Sequence, residues 1–109
     1  MPFLNVNERE AKGLFPGIVT KTFWGDQMLV SRVELEPNAE VPMHSHPHEQ
    51  FGVVLEGELT LSMAGETREL GVGDMYIALG NIEHGGHAGP DGCLVAEIFS
   101  PVREEYKFE

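Results

Sequence analysis

Thirteen glycines and seven prolines are scattered through 109 residues, and they break the chain at short, fairly even intervals. A helical bundle does not survive interruptions this frequent, whereas many short strands do. Between the breaks the residues alternate. Residues 18–24 form an apolar and β-branched run that stops at Gly25-Asp26. Residues 28–36 follow, with Arg32, Glu34 and Glu36 alternating against Val33 and Leu35, and stop at Pro37-Asn38. A hairpin is predicted from 50–55 through Glu56-Gly57 into 58–63. Its second arm sets Leu59, Leu61 and Met63 on one face and Glu58, Thr60 and Ser62 on the other. Ala64-Gly65 leads into 66–70, and Gly71 to Asp74 lead into 75–79. Residues 80–92 read as a turn-rich segment, and 93–100 as a last strand stopped by Pro101. Seven or eight short strands with almost no helix predict an all-β antiparallel sandwich or barrel, of the double-sheet jelly-roll kind.

The chain is 41% hydrophobic and 23% charged, enough to build a packed core and too apolar for wholesale disorder. Its net charge of −11 excludes nucleic acid and anionic membrane surfaces as partners of its overall field. No apolar run approaches the roughly 20 residues of a membrane span, and the first fifteen residues lack a basic start followed by an apolar stretch. A cytoplasmic protein is expected. Cys93 is the single cysteine, so no intrachain disulfide framework exists; it falls in the run Cys93-Leu94-Val95-Ala96 and reads as a small buried hydrophobe. Residues 1–16 carry the least pattern. Asn7 and Glu10 are spaced to cap one short helical turn before Gly13 and Pro16. This N-terminal segment suits packing on a partner subunit, and 17–109 reads as one domain. Open strand edges on so small a sandwich favour a homodimer.

All five histidines fall in two clusters: His44, His46 and His48, then His84 and His87. On a strand, His44 and His46 point to one face with backbones about 6–7 Å apart, and imidazoles at that spacing can share one metal ion. Pro47 ends such a strand, placing His48 in the following bend. The alternative is a solvated, histidine-rich surface loop. Near the C-terminus, Glu97 interrupts the apolar run from Cys93 to Phe99 and shares its face with Val95 and Phe99. A carboxylate buried there needs a partner or a task, and in a metal cavity it would serve as general acid or base. On an edge strand it would simply face water. Arg103, read alone, belongs to a charged tail with Glu104, Glu105, Lys107 and Glu109.

The series His44-x-His46-x3-Gln50-x6-Gly57, then Gly73-x5-Leu79-x-Asn81-x2-His84, resembles the two signature motifs of the cupin superfamily. The resemblance runs from about Val41 to His84. It implies a small β-barrel holding one divalent transition metal in its mouth through His44, His46, Gln50 and His84. Gln50 stands where many cupins have glutamate, and Leu79 where a proline is common; His87 is extra and reads as a rim residue. Three imidazoles and an amide leave the ion its full charge, which favours an anionic ligand. Mixed N and O donors suit Zn, Ni, Fe, Mn or Cu alike.

His-Ser-His-Pro-His-Glu-Gln at 44–50, with Phe-Ser-Pro-x-Arg-Glu at 99–104, is similar to the small cupins of pectin degradation. Members of that group act on 4,5-unsaturated uronates and promote their conversion to the linear keto sugar. The resemblance implies catalytic roles for Glu97, Phe99 and Arg103, although family members carry Asp at the position of Glu97. The expected function is therefore that of a metal-dependent isomerase-type enzyme acting on a small carbohydrate acid, a uronate. A cupin dioxygenase using Fe or Mn, and a non-catalytic metal- or sugar-acid-binding module, are the alternatives.

Overall fold

β-branched and aromatic residues alternate with polar ones along most of the chain, and the strands they form join into one antiparallel sheet. The computed structural model describes residues 3–108, leaving Met1, Pro2 and Glu109 of the segments read from sequence outside the described residues. Eight strands follow one another: β1 (Lys12–Phe15), β2 (Ile18–Trp24), β3 (Leu29–Leu35), β4 (Glu40–His44), β5 (Glu49–Met63), β6 (Glu66–Leu70), β7 (Met75–Ala78) and β8 (His84–Ser100). Single 3-10 turns lie at Val6–Glu8 and Glu104–Tyr106.

The sheet is organised by its two long strands. β5 and β8 pair along nearly their whole lengths, from Glu49 opposite Ser100 to Met63 opposite His84. β3 and β4 line the free edge of β8 one after the other, and β7 and β6 line the free edge of β5. The order β1-β2-β3-β8-β5-β6, with β4 beside β8 and β7 beside β5, is the jelly roll expected from the strand count.

Two stretches depart from the sequence expectation. No hairpin forms at Glu56-Gly57; the chain runs straight on as β5, and the register against β8 shifts on both sides of these residues. Gly57 has φ +75°, and a side chain there would run into the carbonyl of Gly92. A glycine with positive φ serves a bulge as well as a turn, and only the presence of β8 alongside decides between them. Residues 84–92 are likewise strand, although they were expected to be turns. β4 and β5 flank them on either side, so sheet pairing overrides local turn propensity. At the N-terminus the helical turn is capped by Asn5, whose Oδ1 accepts from the Asn7 N–H at 3.0 Å, instead of by Asn7. Lys12–Phe15, within the segment set apart as N-terminal, pairs with β2 of the same chain.

Inward residues of β2, β3, β5 and β8 make the main core: Ile18, Val33, Leu35, Val54, Leu59 and Val95 are all buried. Cys93 lies among them as a buried hydrophobe, its thiol pushed up to about 11 by burial and then by the charge of Glu97. A smaller cluster of Leu29, Phe99 and Val102 fills one end of the barrel, with Trp24 and Tyr106 against it. Two polar residues that point inward, Thr20 and Ser31, satisfy one another at 2.6 Å. The C-terminal segment is tied across this end by Thr22, whose hydroxyl donates to the Tyr106 carbonyl at 2.6 Å.

Because Gly57 combines left-handed backbone with contact against Gly92, Gly57→Ala is expected to cost about 2 kcal/mol or more. Urea denaturation reads this directly, and an unchanged midpoint would show that the bulge relaxes freely.

Candidate metal centre

Three histidines from separate backbone elements meet at the end of the barrel. His44 is the last residue of β4 and lies opposite His84, the first residue of β8, with ring centroids 4.4 Å apart. His46 was expected on the same strand as His44, but β4 stops at His44. The reason is that β8 begins at His84, so residues 45 and 46 have no strand to pair with. Instead, the His46 carbonyl accepts the Asn81 N–H at 2.7 Å, where Asn81 adopts φ +68°. The segment leading to the second histidine cluster thereby holds the first. One ring nitrogen from each of His44, His46 and His84 lies within 4.8 Å of the others.

Each of the three rings is oriented by a backbone carbonyl at its Nδ1. His44 faces Pro42 O at 2.8 Å, His46 faces His48 O at 3.1 Å and His84 faces Ile82 O at 2.9 Å. A carbonyl only accepts, so each Nδ1 carries the proton and each Nε2 is left with a lone pair. The Nε2 atoms of His46 and His84 lie 3.0 and 3.2 Å from Gln50 Oε1, which is also an acceptor. The Gln50 amide cannot turn over to relieve this. Its Nε2 donates to Glu97 Oε2 at 2.7 Å and to the Tyr76 hydroxyl at 3.1 Å. Lone pairs from imidazoles and an amide oxygen thus converge with no proton between them, an arrangement that fits a divalent transition cation. The orientation of each histidine by a carbonyl is what such a site requires. Burial, with the nearby Arg103 charge, holds His46 down at about 4, and burial also lowers His84, so both are neutral and ready to coordinate.

Behind Gln50, the Tyr76 hydroxyl donates to Glu97 Oε2 in a short hydrogen bond. Tyr76 reaches this point because its ring lies over Gly52, where any side chain would collide with it. Glu97 faces the barrel interior together with Val95 and Phe99, and all three line one cavity of about 60 Å³ with His44, Gln50 and His84. Burial raises the Glu97 pKa, against the opposing pull of the Tyr76 and Gln50 hydrogen bonds and of Arg103.

Phe99 is 1% exposed and meets the His46 ring edge-on at 5.5 Å. Arg103 does not extend into solvent with the charged tail. Its side chain is only 12% exposed, its guanidinium covers the Tyr106 ring at 4.0 Å and the Phe99 ring at 5.1 Å, and it also lines the cavity. Its Nε donates to Glu105 Oε2 at 3.1 Å.

The structure therefore brings His44, His46, Gln50, His84, Glu97, Phe99 and Arg103 around one space. His48 sits in the bend after His46 and contributes its backbone carbonyl to it. His87 is exposed on β8 and stands outside the three-histidine group. Tyr76 and Tyr106 also belong to the site, and neither was singled out from sequence. A signal for Tyr76 existed: in a strand over 75–79 it shares the inward face with Ala78, and a buried phenol needs a polar partner. Tyr106 sits past the last strand, where periodicity is silent.

Residues 31–96 match the family described as Cupin domain. The chain is 31% identical over 84 residues to the pectin degradation protein KdgF of Dickeya dadantii (strain 3937), covering 76% of each protein. Among solved structures, KdgF from Halomonas sp. superposes with a TM-score of 0.89 at 29% identity, covering 96% of this chain and 97% of that one. An RmlC-like cupin from Shewanella frigidimarina superposes with a TM-score of 0.90 at 24% identity, over 97% of this chain and 96% of that one, a likeness of fold.

Removing one imidazole should empty the centre. His46→Ala is expected to carry less than about a tenth of the wild-type metal by elemental analysis after purification without metal supplements. Equal metal in both proteins would place the ion elsewhere.

Proposed function

The chain belongs to the cupin family, and from that premise we propose that it is a metal-dependent enzyme that opens and tautomerises the ring of 4,5-unsaturated uronates. One observation carries this reading: His44, Gln50 and His84 of a neutral donor set, the half-buried carboxyl group of Glu97 and a partly shielded arginine all line a single cavity, with His46 completing the donor set beside it. The likeness to the KdgF proteins supports it.

A divalent transition ion (Zn, Ni, Fe, Mn or Cu) held by His44, His46, Gln50 and His84 would keep its full charge and supply Lewis-acid polarisation of an anionic sugar's oxygens. The conversion itself is redox-neutral. Loss of the C1 hydroxyl proton breaks the bond from C1 to the ring oxygen, C1 becomes an aldehyde, and the released C5 enolate takes a proton at C4 to become a ketone. The net change is one proton carried from the C1 hydroxyl to C4. Glu97 is the group for that transfer. Both of its described hydrogen bonds fall on Oε2, so Oε1 remains to take up and return the proton. Burial raises its pKa, which favours the protonated form more than for a glutamate in water. Arg103, already charged and held over Phe99, pairs the substrate carboxylate through its terminal nitrogens. Phe99 walls the cavity and keeps the His46 ring upright.

A homodimer completes the proposal. On the outer face of the sheet, Ile77, Phe51 and Ile98 stand opposite one another, and so do Met75, Val53 and Ala96. Met75 is 64% and Ile77 53% exposed. On a chain of net charge −11, an uncharged face across three strands is where a second copy can approach without repulsion.

Two measurements test these points. Glu97→Gln should lower turnover of an unsaturated uronate by at least about a hundredfold while metal content stays at the wild-type level, as read by loss of the conjugated chromophore. Equal turnover removes Glu97 from the mechanism; uronate binding without turnover by the wild type favours a binding module, and metal-dependent oxygen consumption favours a dioxygenase. Light scattering should give twice the chain mass for the wild type and a single chain mass for Ile77→Lys, and a monomeric wild type would exclude the dimer.

A further inference from the structure

The Gln50 amide is held in the orientation that the three histidines by themselves would reject. With Nδ1 of each imidazole carrying the proton, the Nε2 lone pairs of His46 and His84 call for a donor, and the Gln50 NH2 group would supply it if the amide rotated by half a turn. The rotated amide would also place Oε1 against the carboxylate oxygen of Glu97 and against the Tyr76 hydroxyl, whose proton is already given to Glu97. That cost fixes the observed orientation. We propose that Tyr76 is a positioning residue for the metal ligand: with Glu97, its hydroxyl clamps the Gln50 carboxamide so that Oε1 faces the histidines before any ion arrives.

This inference rests on the reading that His44, His46, Gln50 and His84 hold a divalent metal, and it adds a reason for glutamine at that position. A glutamine side chain has one accepting and one donating end. The first serves the cation and the second serves Glu97, whereas a glutamate would turn a carboxylate oxygen toward another carboxylate. Metal ligation and the orientation of the proton-carrying group are thereby coupled through one side chain. Tyr76 is suited to the task because it is 8% exposed, has its ring fixed against Gly52, and can accept from Gln50 and donate to Glu97 with one hydroxyl.

The test is a double-mutant cycle on metal affinity, with Zn2+ alone as the probe and no substrate present. Tyr76→Phe keeps the ring and removes the hydroxyl; it should weaken Zn2+ binding about tenfold in the wild-type background. In a Gln50→Ala background the same substitution should change affinity less than twofold, because the group it acts through is gone. An equal loss in both backgrounds would mean a merely structural role, and no loss in the wild-type background would mean no role; either result overturns the proposal. A second readout uses Tyr76→Phe alone loaded with Co2+, in case Gln50→Ala does not fold. The visible absorption bands should shift as the amide oxygen is lost or exchanged, and a spectrum identical to that of wild type would overturn the clamp. His84→Ala serves as the separate control. If it binds Zn2+ as tightly as wild type, the metal centre itself has been misassigned, which is a different failure from that of the clamp.

Discussion

The site depends on a meeting of like partners: imidazole lone pairs and an amide oxygen turned toward one another with nothing to share. In water such an arrangement dissolves by rotation of one group. Here each rotation is blocked by a hydrogen bond made elsewhere, at Pro42, His48 and Ile82 for the rings and at Glu97 and Tyr76 for the amide. The energetic burden is small per group, because every blocking bond is itself favourable. What remains is a set of converging lone pairs at the barrel end, an arrangement that could hold a divalent cation.

Charge then decides what approaches from the cavity side. A glutamate at position 50 would bring formal charge to the candidate ligands, whereas glutamine leaves them neutral within a protein of net charge −11. The overall field discourages anions, whereas the candidate ligands themselves are neutral. Arg103 moderates that contrast. It lines the cavity, it acts on His46, His84 and Glu97 together, and stacking on Phe99 and Tyr106 keeps it there instead of in the tail. An aromatic cradle of this kind costs less than an ion pair to place a charge at a partly dry position, since the guanidinium plane is weakly hydrated.

Much of this was legible in the residues. The jelly roll followed from the spacing of breaks and from alternation in the second arm of 58–63, and the meeting of His44, His46 and His84 was expected from two histidine clusters in register with a known family's motifs. The failures share one physical origin. At Gly57 and along 84–92, local turn chemistry was outweighed by a neighbouring strand that lies far away in sequence, and at His46 a strand ended because its partner did. No single-strand pattern records where the partner begins. The face taken by Glu97 was open for the same reason: its alternation with Val95 and Phe99 was readable, but which side was interior depended on β3 and β5 flanking it. Tyr76 was missed because a tyrosine on an apolar face is ordinary core material until its hydroxyl is seen to find a carboxylate.

The zipper of β5 against β8 has a kinetic side. His44 and Gln50 are close in the chain, but His84 and Glu97 join them only after Glu49–Met63 has paired with His84–Ser100, a contact that closes a long loop before it yields any hydrogen bond. Folding of such a topology is limited by that closure, on the slow side for a chain of this length. During that interval the histidines are ordinary flexible side chains with no preferred ion. The converging geometry of the candidate site is consequently acquired late, when the strands lock, and belongs to the finished barrel, not to the growing chain.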